Sequence, residues 1–188
     1  MDTRTVLVAA ALEVLEHQGE AAFSTRTVCA MAGVTAPTLY HHFGSADGLL
    51  SAAITEAFAQ FLASKKAVIS SADPVVALRQ GWDNYVRFAA ERPRLYAAML
   101  VRVLQGASIP AADAARALLM ERIEAIAADR RLAMEAQAAA DLAWASAHAA
   151  STLYLMSKER QPDPIVIEAL RERAVQCICT PNESEKQT

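Results

Sequence analysis

The stretch from Ser24 to Leu50, STRTVCAMAGVTAPTLYHHFGSADGLL, constrains this chain more than any other part of it. Ser24 stands where its hydroxyl can take up a free backbone N–H at the start of a helix, and Phe23 just ahead can staple onto Val28. A short helix is therefore predicted through Val28, Cys29 and Met31 to Gly33, which supplies the positive φ that a sharp turn needs. Thr35 is placed to cap a second helix, with Pro37 in its first turn, where a missing N–H costs nothing. Leu39 and Phe43, four apart, anchor one face of that helix. The other face keeps Thr38, Tyr40, His41 and His42, hydrogen-bonding and planar groups suited to phosphates and base edges. Helix, glycine turn, short helix with a polar outer face is the helix-turn-helix order, in which the second helix enters the major groove. Two capped helices around a glycine also describe plain helical hairpins, so spacing alone leaves both readings open.

Residue identity adds to this. The run AGVTAPTLYHHFGSADGLL, preceded by STRTV, resembles the DNA-binding segment of the tetracycline-repressor (TetR) family of bacterial regulators at nearly every position. The resemblance implies an all-α chain, with an N-terminal three-helix helix-turn-helix DNA-binding domain followed by a helical ligand-binding and dimerisation domain. It puts Thr25, Arg26, Thr35, Ala36, Pro37, Thr38, Tyr40, His41 and His42 at the DNA surface, and Val28, Ala32, Leu39 and Phe43 between the two helices. One position departs from the pattern: family members usually carry a phosphate-holding lysine at the start of the next helix, and here that residue is Ala46. The resemblance is close over the first quarter of the chain and general thereafter.

Charge sets the opposing argument. Met1 to Leu50 hold two basic side chains, Arg4 and Arg26, against Asp2, Glu13, Glu16, Glu20 and Asp47, a formal charge of −3 that equals the net charge of the chain. Neutralising phosphates supplies most non-specific DNA affinity, so this head is expected to bind with a small electrostatic contribution. Helix N-termini at Ser24, Thr35 and Ser45 still offer backbone N–H groups to phosphates.

The rest of the chain is expected to be helical. With 188 residues, 54% of them hydrophobic and 21% charged, it can bury a sizeable core. No apolar run is long enough to span a bilayer, and MDTRTV lacks the layout of a signal peptide, so a cytoplasmic protein without membrane association is expected. Cys29, Cys177 and Cys179 fit neither a disulfide framework nor a zinc site. Thr3 to Gly19 reads as the helix that completes the three-helix head, with Glu13, Glu16 and His17 towards water. Ser45 caps a connecting helix over about residues 45–66, striped by Leu49, Leu50, Ile54, Phe58 and Phe61. Asp73 with Pro74 opens a further helix to Glu91, followed by helices from Pro93, from Pro110, from about Met134 to Lys158, and from Pro162 or Pro164 to near Thr180. The expected division is a DNA-binding domain over 1–50, a regulatory and dimerisation domain over 51–180, and a disordered tail over 181–188.

Two faces of the helix from Met134 imply two neighbours. Leu142, Ser146, Ala149, Leu153 and Met156 share one, and Ile167, Leu170, Ala174, Cys177 and Ile178 repeat the rhythm on the last helix. The family reading pairs these two final helices with their copies in a homodimer on a palindromic double-stranded operator; the alternative is internal packing. Asp141, Trp144 and His148 share the other face. Together with Trp82, Tyr85, Phe88, Tyr96 and Met99 they are the candidate lining for a small-molecule effector, although aromatic stripes at helical spacing also build plain cores. No cofactor or metal is implied. An enzyme is not expected, because the chain shows no nucleophile elbow, no phosphate-cradling glycine loop and no metal-ligand cluster. The expected function is a ligand-responsive transcriptional regulator, most simply a repressor; the alternative is a helical interaction or ligand-binding protein with a weakened DNA-binding head.

Overall fold

A computed structural model describes residues 2–68, 71–106, 110–157 and 161–180. The tail expected over 181–188 lies outside them. The described residues form helices α1 (Thr3–Gln18), α2 (Thr25–Ala32), α3 (Ala36–Phe43), α4 (Ala46–Val68), α5 (Pro74–Glu91), α6 (Pro93–Leu104), α7 (Pro110–Ala128), α8 (Ala136–Met156) and α9 (Pro164–Ile178). A short 3-10 turn, Glu20–Ala22, follows α1, and among the described residues no strand is present beyond an isolated bridge between Leu132 and Cys179. The fold is all-α. No described helix is long and apolar enough to cross a membrane.

Local chemistry explains most of these boundaries. Asp2 accepts the Thr5 N–H at 2.7 Å, Ser24 that of Thr27 at 3.1 Å and Ser45 that of Gly48 at 2.9 Å, so α1, α2 and α4 each begin on a side-chain cap. Asp73 accepts from Val75 and Val76 ahead of Pro74, and Asp163 accepts from Ile165 ahead of Pro164. Thr35 caps α3 by position only. Its hydroxyl meets the Thr38 hydroxyl at 3.0 Å instead of a backbone N–H, so the two threonines satisfy each other. Gly33 ends α2 in the left-handed region at φ 65, ψ 30.

The chain divides into two compact units: residues 1–63 with 92–112, and residues 64–91 with 113–188. In the first, α1 is buried at Leu7, Ala11, Val14 and Leu15, α2 at Val28, α3 at Leu39, α4 at Leu49 and Ile54, and α6 at Leu95, Tyr96 and Met99. In this unit α6 meets the acidic residues of the head: Arg92 pairs with Glu16, Arg102 with Asp47, and Arg94 donates to the His17 carbonyl. Glu16 is thus only half exposed and engaged, where periodicity alone sends it to water.

An apolar cluster joins four helices of the second unit. Val75 and Leu78 of α5, Ile123 and Ile126 of α7, Ala139, Ala140 and Ala143 of α8, and Val175 and Ile178 of α9 form it. Ion pairs clamp its outside: Arg79 with Glu172, Arg131 with Asp73, and Arg171 with Asp83, at 3.0, 3.0 and 2.8 Å. The turn after α7 is clipped to the end of α9, the Thr180 N–H donating to the Arg131 carbonyl and the Ala133 N–H to that of Ile178.

Candidate nucleic-acid interface and regulatory site

In the first unit, α2 and α3 are held by the apolar side of each, Val28 and Leu39 being wholly buried. The outer side of α3 is open. Tyr40 is 48% exposed, and Pro37, His41 and His42 are exposed with it; Thr35 and Arg26 are exposed nearby, while Thr25, Ala36 and Thr38 are half-buried. The His41 and His42 rings meet edge-on at 5.3 Å, and Arg4 lies 5.3 Å from the Phe43 ring centre. A short helix with its aromatic anchors inward and a phenol and two imidazoles outward can present donors and acceptors to base edges. The electrostatics are less acidic than residues 1–50 alone. Arg4, Arg26, Arg92, Arg94 and Arg102 stand against Asp2, Glu13, Glu16, Glu20, Asp47 and Glu56, a formal charge of −1 for the unit.

In the second unit the aromatic residues of α5 and α8 converge. The Tyr85 and His148 rings stack at 5.3 Å, Trp144 lies 4.7 Å from His148, and the Tyr85 hydroxyl shares a 3.0 Å hydrogen bond with His148 Nδ1. Burial lowers the His148 pKa from its ordinary value. Trp82 Nε1 donates to the Ser146 hydroxyl at 2.9 Å. Trp82, Tyr85 and Trp144 border a hollow of about 30 Å³ closed by Leu78, Leu119 and Arg122.

Among the described residues no group of His, Cys, Asp and Glu is placed to hold a metal ion. Residues 7–53 match the family model described as bacterial regulatory proteins, tetR family. That match spans α1 to the first turns of α4, the segment whose polar helix face has just been described. Over residues 7–53 the chain is similar to the DNA-binding domain of tetR-family regulatory proteins. Solved structures agree in fold: a TetR-family transcriptional regulator from Pectobacterium atrosepticum is 25% identical over 92% of this chain and 88% of its own, with a TM-score of 0.69. A protein of unknown function from Rhodococcus sp. RHA1 is 22% identical over 96% and 97%, with a TM-score of 0.81. A TetR-family regulator from Haemophilus influenzae is 22% identical over 95% and 97%, with a TM-score of 0.66. No curated protein matches the chain.

The expected effector residues are distributed unevenly. Trp82, Tyr85, Trp144 and His148 come together. Phe88 is buried on the same helix as Trp82 and Tyr85, and Asp141 is exposed, paired with Arg116 and bonded to Gln137. Tyr96 and Met99 are buried in the first unit. Sequence reasoning passed over Arg122 and Gly81, and it put Ser146 on the expected partner face of α8, where the structure turns it inward as the acceptor of the Trp82 N–H. Arg122 carried a signal, since Ala115, Leu119, Arg122 and Ile126 follow helical spacing and put an arginine on an otherwise apolar stripe.

Proposed function

We propose that this chain is a TetR-family regulator, a cytoplasmic, homodimeric repressor that reads a palindromic operator through α3 and leaves it when a small, largely apolar molecule binds the second unit. The observation that carries the DNA-binding part is the division of α3 into a buried Leu39 side and an exposed side bearing Tyr40, His41 and His42. The dimer reading is supported by the outer faces of the last two helices. Ala138, Ala145, Ala149 and Met156 are exposed along α8, and Ile165, Val166, Ala169 and Cys177 along α9. Small and apolar residues in such a row permit close contact with another helix. Within α9, Ala174 and Ile178 face the unit's own core, so the partner face is the one running through Ile165, Ala169 and Cys177.

A second reading, a helical interaction protein with a weakened DNA-binding head, is favoured by the charge of the first unit. Footprinting of the full-length protein on the DNA flanking its own gene separates the two. Protection of two symmetric half-sites is the expected result, and no protection at physiological salt supports the second reading.

A further inference from the structure

One charged side chain borders the aromatic hollow. Arg122 of α7 lies against Gly81 of α5, where an added Cβ would stand 2.0 Å from the Arg122 Nη1 atom. Glycine at that point leaves the room that the guanidinium fills. The same side chain also borders a second hollow, of about 240 Å³, walled by Pro74 and Ala77 of α5 and Leu118 and Ala125 of α7, with Ser71 and Glu121 as its other polar members. Arg122 is thus the wall common to both spaces.

The electrostatics of this position differ from those of its neighbours. Arg79, Arg131 and Arg171, the other arginines of the unit withdrawn in part from solvent, each meet a carboxylate. Among the described residues Arg122 meets none. Burial lowers its pKa and Glu121, next to it in sequence, pulls the other way. A guanidinium stays charged under such pressure, so the structure carries a half-desolvated cation whose fork is free to take two oxygens. Beyond that fork the aromatic hollow offers mostly hydrocarbon and ring surface, where a second charge on a ligand would find nothing to pair with.

We infer that Arg122 is the anion anchor of the effector site and that the effector is a compact apolar carboxylic acid, its carboxylate forked on the guanidinium and its body against Leu78, Trp82 and Trp144. This deepens, and rests on, the ligand-responsive reading above. The size follows from the space. The aromatic hollow has room for little more than a water, and the larger hollow falls below the roughly 300–1,000 Å³ of ordinary small-molecule sites. Because the aromatic hollow by itself is too small for the acid's body, the proposal requires the Arg122 side chain to shift so that the two spaces, which share it as a wall, join.

The test uses the full-length protein without DNA and reads tryptophan emission, because both tryptophans of the chain, Trp82 and Trp144, border the hollow. The probes are phenylacetate and octanoate, each against its neutral amide. The acids are expected to perturb the emission saturably and to bind at least about tenfold more tightly than the amides. Arg122→Gln is expected to abolish that preference by weakening the acids alone, and to melt no lower than the native protein, since it removes a cation without a carboxylate. Arg122→Lys, which keeps charge and stem but not the fork, should retain part of the preference. Equal affinity for acid and amide, no response to either acid, or unchanged acid binding in Arg122→Gln would overturn the anchor. Operator release is scored separately by footprinting. A protein that holds the acid through Arg122 yet keeps its operator refutes the switch and leaves the site; release by neutral molecules with Arg122→Gln behaving as native refutes the anchor and leaves the switch.

Discussion

Gly48 lies in the first turn of α4 with its bare Cα towards the last residue of the recognition helix. A Cβ there would stand 2.2 Å from the Phe43 carbonyl oxygen. A backbone oxygen cannot rotate aside as a side chain can, so Gly48→Ala must displace α3 or α4. We expect a loss of about 1–3 kcal/mol, read as a lower urea midpoint with an unchanged m-value, and weaker operator binding with it. His148 makes a second prediction at this scale. Its folded pKa is lowered by burial, so the unfolded chain binds the proton first as pH falls. Stability from this group is full above about pH 6.5, the ordinary histidine value, and is lost as pH falls towards the lowered one. His148→Gln, which can still bond the Tyr85 hydroxyl, should flatten the fall of the thermal-melting profile below about pH 6.5 relative to native. The lowered carboxylates Asp73 and Glu172 act in the same direction but further down, below their ordinary 3.8 and 4.5. A parallel pH profile in the variant would remove His148 from the account. At this scale Gly33 was legible, because a positive φ announces itself as glycine after a short helix. The Gly81–Arg122 contact was not, because it joins two helices that sequence cannot bring together.

Helices were the most legible level, and their caps explain why. Ser24, Ser45, Asp73 and the Asp163–Pro164 pair act within four residues of where they stand, so the information needed to place each start is local. Membership of the units was less legible. Helix α6 belongs with α1 through pairs such as Arg92 with Glu16, which no periodicity encodes. These pairs also change the charge argument in degree. Arg92 and Arg102 bring cations to the head but spend them on Glu16 and Asp47. The exposed recognition face keeps Arg26 and two histidines, so few phosphates are neutralised. We therefore expect log affinity against log salt to be shallower than the slope of about −8 shown by a protein that neutralises many phosphates. Ala46→Lys at the start of α4 should tighten binding to all sequences by a similar factor, whereas Tyr40→Ala should cost more than that gain and relax discrimination. A slope at or beyond that value in the native protein would show that cations outside this set reach the DNA.

At the scale of the whole molecule, assembly comes first, because one helix-turn-helix head reads only one half-site. Ala149 is exposed midway along α8, on the row with Ala145 and Met156. Ala149→Glu would bury an unpaired carboxylate in the proposed interface and should give monomers by light scattering with helicity retained; an unchanged dimer would move the interface elsewhere. Control then depends on geometry. Half-sites about 34 Å apart, or a multiple of that, fix the separation of two recognition helices, so a rotation that alters the separation weakens binding without touching α3. Under the proposed switch α4 is the element to test, because it begins at the head and its residues from Ser64 onward belong to the second unit. Binding alone is not enough. An effector releases DNA only by favouring the DNA-incompatible separation, and a coupling of about 1–3 kcal/mol would weaken operator binding some 5- to 150-fold. The same factor must then appear when the operator is present and effector affinity is measured, because both values close one thermodynamic cycle. Tryptophan titration with and without operator, set beside operator binding with and without effector, should give equal ratios. Ratios of one in both pairs would leave a DNA-binding dimer whose second unit serves assembly alone.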